Sequence, residues 1–153
     1  MLELNLCPRQ SVGAIIRDRY TREKLLCLYR KKHPVGLAGI AGHLDYINGN
    51  GKLEGPFDAL KREIREESGL VVTKFSHWHI HKILPNPCSR GYDGHEWWVT
   101  SVTEYTGVAK LMEPDKHEFV KFMTVDEIME YIFRNDVDPA WLYIWTYLGL
   151  AKK

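Results

Sequence analysis

The segment Arg62-Glu63-Ile64-Arg65-Glu66-Glu67-Ser68-Gly69-Leu70 gathers three carboxylates where a helix is expected to run. An α-helix advances about 100° per residue, so Glu66 and Glu67 fall on either side of Glu63 and all three share one arc. Each pairing of Glu63 with its i+3 and i+4 neighbours costs on the order of 0.2–0.5 kcal/mol, which a purely structural helix has little reason to accept. A divalent cation reverses the sign. Mg²⁺ takes oxygen ligands, keeps several waters and completes its octahedron with substrate phosphates. Taken alone, E-x-x-E-E also describes an ordinary solvated acidic face. The surroundings argue for shelter: Phe57, Leu60 and Ile64 are expected to form a buried stripe beside the acids. Lys61, Arg65 and Ser68 should point away, and Ala59 offers no bulk against a ligand. Gly55-Pro56 supplies a helix start and Gly69 a left-handed stop.

Beyond the helix, the chain reads as one domain. With 153 residues and 44% hydrophobic content it can bury a real core. A net charge of +1 leaves no electrostatic footprint for nucleic acid. Cys7, Cys27 and Cys88 are odd in number and contain no C-x-x-C, which argues against a disulfide framework or a cysteine zinc site. No apolar run approaches a membrane span and no secretory leader pattern is visible, so a cytoplasmic location is the expectation. Ser11 to Arg17 and Lys24 to Arg30 read as a hairpin, and Val71 to Leu84 and His95 to Thr106 as long strands. Asn48-Gly49-Asn50-Gly51 marks a tight turn between Tyr46 and Leu53. Thr124 and Glu127 form a capping box for a helix over Val125 to Phe133, and Asp138-Pro139 starts an apolar C-terminal helix.

The acidic helix and its flanks resemble the Nudix hydrolase family, whose box reads G-x5-E-x7-R-E-U-x-E-E-x-G-U with U aliphatic. Glu54 is followed after seven residues by Arg62-Glu63, then Ile64, Glu66-Glu67, Gly69 and Leu70. The first half departs from the pattern, since strict counting back reaches Asn48. Gly42-His43-Leu44-Asp45 fits the family's opening better, which makes Gly42 the box glycine, puts six extra residues before Glu54 and leaves Ala41 in place of the usual preceding glycine. The resemblance runs from Val12 to Ile128 and implies an α/β/α sandwich with a mixed sheet.

The resemblance further implies hydrolysis of a diphosphate linkage in a nucleoside diphosphate derivative. A (deoxy)nucleoside triphosphate comes first, with ADP-ribose or a nucleotide sugar as alternatives. Pro85 stands where ADP-ribose hydrolases carry a proline, unaccompanied by any other subfamily signature. Mg²⁺, with Mn²⁺ as substitute, would be held by Glu66 and Glu67, by the carbonyl of Gly42, and by Glu63 as ligand or as base. Arg62 would pin the acids, with Asp45 and Glu54 in support. Some members draw the base from a later loop, which makes Glu118 the candidate and Glu113 the second, a plain surface glutamate being the bland alternative for either. The extra residues from Tyr46 to Leu53 would overhang the diphosphate site. The implied partner is a small nucleotide, with no nucleic acid and no membrane, and a homodimer is compatible.

Three further groups invite a function. Arg30, Lys31, Lys32 and Arg90 have the charge to meet phosphates, and Tyr92 or whichever of Trp97 and Trp98 is exposed has the face to stack a base. Solvated charge and core packing are the ordinary fates of such residues. His77, His79 and His81 alternate, so on a strand they line one face and two of them suit zinc. The competing readings are therefore a non-catalytic Nudix-fold binding domain and a zinc protein built on that strand.

Overall fold

The computed structural model describes residues 5–45, 47, 51–84 and 91–151. In chain order they form β1 (Ser11–Ile15), β2 (Leu25–Arg30), β3 (Gly36–Ala38), β4 (Ile40–His43), α1 (Pro56–Ser68), β5 (Val71–Leu84), β6 (His95–Thr106), β7 (His117–Met123), α2 (Val125–Phe133) and α3 (Pro139–Tyr147). One sheet has the order β4-β1-β6-β5 and is mixed, because β1 runs parallel to β6 and antiparallel to β4. The other has the order β3-β2-β7 and is antiparallel. The first expected strand ends at Ile15 rather than Arg17 because the chain changes sheets there. Ile16 accepts a hydrogen bond from Leu26 N–H at 2.8 Å, and Arg17 bridges Leu25.

Side-chain alternation fixes the layers. Gly42 faces Glu63 of α1, and its ladder partner Val12 shares that face. Gly13, the next residue, faces Trp141 of α3. The two helices therefore cover opposite faces of β1, which gives the expected α/β/α sandwich. Trp97 lies buried on the α3 face, edge-on to Trp141 at 6.2 Å. Trp98 is half-buried on the α1 face, so the adjacent tryptophans do split across the sheet.

Helix α1 begins with Pro56 and stops at Gly69, whose φ of 78° needs a glycine. Leu60 and Ile64 are fully buried, as is Ala59, which is a core residue rather than an open approach to the acids. Phe57 departs from the expected stripe. It is 38% exposed at the helix start and stacks on Trp78 at 4.4 Å. Ser68 does not point away. It is buried, its hydroxyl donating to Ile64 O at 2.6 Å while its carbonyl accepts from Lys110 N–H. The segments flanking the expected turn pair with each other: Ile47 N–H reaches Lys52 O at 2.6 Å and Glu54 N–H reaches Asp45 O at 2.7 Å. Tyr46 and Asn48 to Asn50 lie outside the described residues. The Thr124–Glu127 capping box and the Asp138 cap of α3 form as expected. Among the described residues, no helix is long and apolar enough to cross a membrane.

The seat of Trp141 makes a stability test. A Cβ on Gly39 would lie 2.6 Å from the Trp141 ring, which is itself wedged between Trp97 and Trp145. Gly39→Ala is expected to destabilise the domain by about 1–3 kcal/mol through overpacking. An unchanged denaturant midpoint would show that the ring has room to move.

Candidate active site

Arg62 is the hub of the acidic cluster. Its guanidinium binds Glu54 through Nη2 at 2.5 Å and Nε at 3.3 Å, Glu63 through Nη1 at 2.9 Å, and Glu66 at 3.3 Å. Nη2 also donates to the His43 carbonyl at 3.0 Å and sits 3.3 Å from Asp45. The base of these paired segments thus belongs to the site, because Asp45 N–H donates to Glu54 Oε1 at 2.9 Å and Arg9 holds Asp45 at 3.2 Å. Burial pushes Glu54 upward, but the hydrogen bonds from Arg62 and Asp45 and the charge of Arg62 outweigh it and keep this carboxyl below its usual range.

Glu63 and Glu67 face β4. Burial, together with the charge of Glu66 and against the pull of Arg62, lifts Glu63 to about 7. Glu67 is 7% exposed and is held well above the usual carboxylate range, first by burial and then by the charge of Glu63. Its Oε1 accepts from Ala41 N–H at 3.1 Å. A side chain on Gly42 would occupy the space of the Glu63 carboxylate, so glycine is what lets β4 and α1 approach here. Glu66 is the outermost of the three, with its side chain 47% exposed.

The other wall comes from the segment entering β7. Oxygen and nitrogen atoms of Glu67, Glu113 and His117 lie within 4.8 Å of one another, and His117 Nε2 is 3.5 Å from Glu67 Oε2. Glu113 is fixed by Lys116 Nζ at 2.9 Å. Glu118 is placed differently from its expected role as base. The segment is a strand, so His117 turns inward opposite Arg30 while Glu118 is exposed on the reverse face, where its charge acts on Tyr29. His117 escaped the sequence reading, although the alternation of His-Glu-Phe-Val-Lys-Phe-Met was the available signal.

The expected substrate contacts are spread out. Arg30 is occupied by Pro34 O at 3.0 Å and by Asp138 at 3.9 Å, although its charge still acts on Glu67. Trp98 donates to Gln10 at 2.6 Å, and one of its faces is covered by His81 at 3.4 Å. Tyr92 is half-buried just before β6. Lys31 and Lys32 are exposed, with Lys31 bonded to Pro114 O, and Arg90 lies outside the described residues. The three histidines of β5 do not converge. His77 and His79 meet edge to face at 5.0 Å, His79 bonds Ser101 at 2.8 Å, and His81 pairs with Glu96 at 2.5 Å. Bulges in the β5–β6 ladder between Phe75 and Ile80 break the simple alternation. His79→Ala should therefore change Mg²⁺-supported turnover by less than about tenfold, which is 1.4 kcal/mol. Loss of all activity together with loss of bound zinc would relocate the site to this strand.

These features define a class: an α/β/α domain in which one helix presents a carboxylate cluster to a glycine-bearing strand. The family model of the NUDIX domain matches residues 8–142, and the chain belongs to the Nudix hydrolase family. The fold is shared with the MutT NUDIX hydrolase of Burkholderia pseudomallei at TM-score 0.62 and 22% identity, covering 78% of this chain and 85% of that one. A NUDIX hydrolase from Nitrosomonas europaea gives TM-score 0.63 and 20% identity over 94% and 90% of the two chains. The NUDIX domain of Shewanella oneidensis NrtR, complexed with ADP ribose, gives 0.62 and 13% over 94% and 85%. At these identities the likeness is one of fold. Comparison with curated proteins gives no match.

Proposed function

We propose that the chain is a Mg²⁺-dependent hydrolase that cleaves a diphosphate linkage in a nucleoside diphosphate derivative, a (deoxy)nucleoside triphosphate first among the class. One observation carries this: a single guanidinium, Arg62, contacts four acids, Glu54, Glu63, Glu66 and Asp45, while Glu67 lies buried beside them. Even with Arg9 on Asp45, two guanidiniums do not balance these acids. The carboxylate donor set fits a hard cation, with Glu63, Glu66 and Glu67 as the residues that would hold it and Gly42 keeping β4 close against Glu63. When bound, Mg²⁺ or Mn²⁺ supplies Lewis-acid polarisation of the phosphates and a more acidic water.

The chain's own groups do the rest. Arg62 holds Glu63 and Glu66 in place, and the base of the paired segments locks Arg62 through Glu54. Glu113 takes the role of base in place of Glu118, because it stands beside Glu67 and is oriented by Lys116. The substrate is a small nucleotide and the site of action the cytoplasm. The Pro85 position that hinted at ADP-ribose lies outside the described residues.

A panel of nucleoside triphosphates, ADP-ribose, nucleotide sugars and dinucleoside polyphosphates with Mg²⁺ tests the assignment. Cleavage between phosphates of at least one member is the expected result. Nucleotide binding without turnover across the panel would instead support the non-catalytic domain.

A further inference from the structure

The start of β1 brings together three residues whose side chains the acidic site does not use. His43 is the last residue of β4 and lies opposite Ser11 in the β1–β4 ladder. His95 opens β6, two residues before Trp97, which lies opposite Ser11 from the other side. The strands β4 and β6 are separated by β1, hence by two strand spacings of roughly 4.8 Å each, so side chains at their ends meet only where β1 gives way. There the imidazole rings approach to 5.3 Å between centroids. Cys7 completes the group, because Leu6 bridges Gly94 and Cys7 N–H donates to Gly94 O at 3.0 Å. The Cys7 sulfur and one nitrogen from each histidine lie within 4.8 Å of one another. Cys7 is 7% exposed and His95 1%, while His43 is half-buried.

We propose that Cys7, His43 and His95 form a binding site for zinc or a similar borderline-soft divalent metal, distinct from the carboxylate cluster. One thiolate and two imidazoles are the donors zinc prefers, whereas Mg²⁺ selects oxygen. A tetrahedral zinc with Zn–S of about 2.3 Å and Zn–N of about 2.0–2.1 Å needs its donors roughly 3.3–3.6 Å apart. Donor atoms that already lie within 4.8 Å of one another are within side-chain reach of that spacing. The fourth corner is left for a further ligand. The absence of C-x-x-C pointed away from a cysteine zinc site, but these ligands come from three separate segments and no local spacing reveals them.

The metal would act as a clip. It would join the segment before β1 to the ends of β4 and β6, where the ladder bonds run out. His43 adjoins Gly42, and its carbonyl already accepts from Arg62, so the clip would steady the strand that faces Glu63 and Glu67.

The test uses the full chain, stripped with chelator and then supplied with Zn²⁺ or Co²⁺ alone. One zinc per chain should survive gel filtration, and Co²⁺ should give a thiolate-to-metal charge-transfer band and intense tetrahedral d–d absorption. Cys7→Ser should abolish the band and weaken zinc retention by at least about tenfold, and His95→Gln should do the same, while Glu67→Gln should leave both unchanged. Alkylation mapped by peptide mass spectrometry on the wild-type chain needs no variant, and zinc should slow modification of Cys7 specifically. No retained zinc, a cobalt spectrum without a thiolate band, undiminished retention in Cys7→Ser, or unprotected Cys7 would each overturn the assignment.

Discussion

Glu67→Gln is expected to lower kcat by about 10²–10³-fold at saturating Mg²⁺ while leaving the domain folded. The amide keeps the shape of the side chain and can still accept the Ala41 N–H, so the anchoring of α1 to β4 survives. What is lost is a buried anionic oxygen, the hardest donor in the cluster to replace from solvent. Glu66→Gln should move in the same direction from its more open position. Circular dichroism and the thermal midpoint separate loss of chemistry from loss of fold. Near-wild-type kcat in both variants would remove the carboxylates from the reaction.

The same carboxylates should make the metal-free chain least stable at higher pH. Glu63 titrates at about 7 in the folded chain against 4.5 as the ordinary value, because burial and the charge of Glu66 oppose its ionisation despite Arg62. Between those values the folded chain holds a proton that the unfolded chain has released. The native state therefore binds more protons, and stability falls as pH rises through this window. Glu67, raised for the same reason, acts in the same sense. The Glu63 contribution alone is on the order of 3 kcal/mol. In chelator, the urea midpoint should be lower at about pH 8 than at about pH 5, and Glu63→Gln should flatten much of that slope. Adding Mg²⁺ at the higher pH should restore the midpoint by mass action. A midpoint that rises with pH would mean that the two glutamates are well-paired structural ions.

Helix α1 was legible because every signal in it agrees: proline at the start, glycine at the stop, apolar periodicity and the acidic box. The long strands β5 and β6 and the capped helices α2 and α3 were legible for similar local reasons. Strands β3 and β4 were not, since Gly36 to Gly42 contains three glycines and its pairing with β2 and β1 is decided by tertiary contact. The arginine hub was half visible. The Arg62–Glu66 pair follows from i,i+4 spacing, but the grip on Glu54 requires the chain to return to Asp45. Glu113 and His117 reach Glu67 only because β7 pairs with β2 in the register that sets His117 opposite Arg30. A base chosen by sequence position alone had no means of knowing that face, and Glu118 fell on the other one.

The central claim, that the Glu63, Glu66 and Glu67 cluster runs a metal-dependent diphosphate hydrolysis, is tested most directly by metal reconstitution. The chelator-stripped chain is titrated with Mg²⁺, Mn²⁺ and Zn²⁺ in parallel, with turnover of the best panel substrate as readout. Mg²⁺ and Mn²⁺ should each restore hydrolysis in the wild-type chain and fail to do so in Glu67→Gln. Turnover that is indifferent to chelation, or that returns with Zn²⁺ alone, would contradict it.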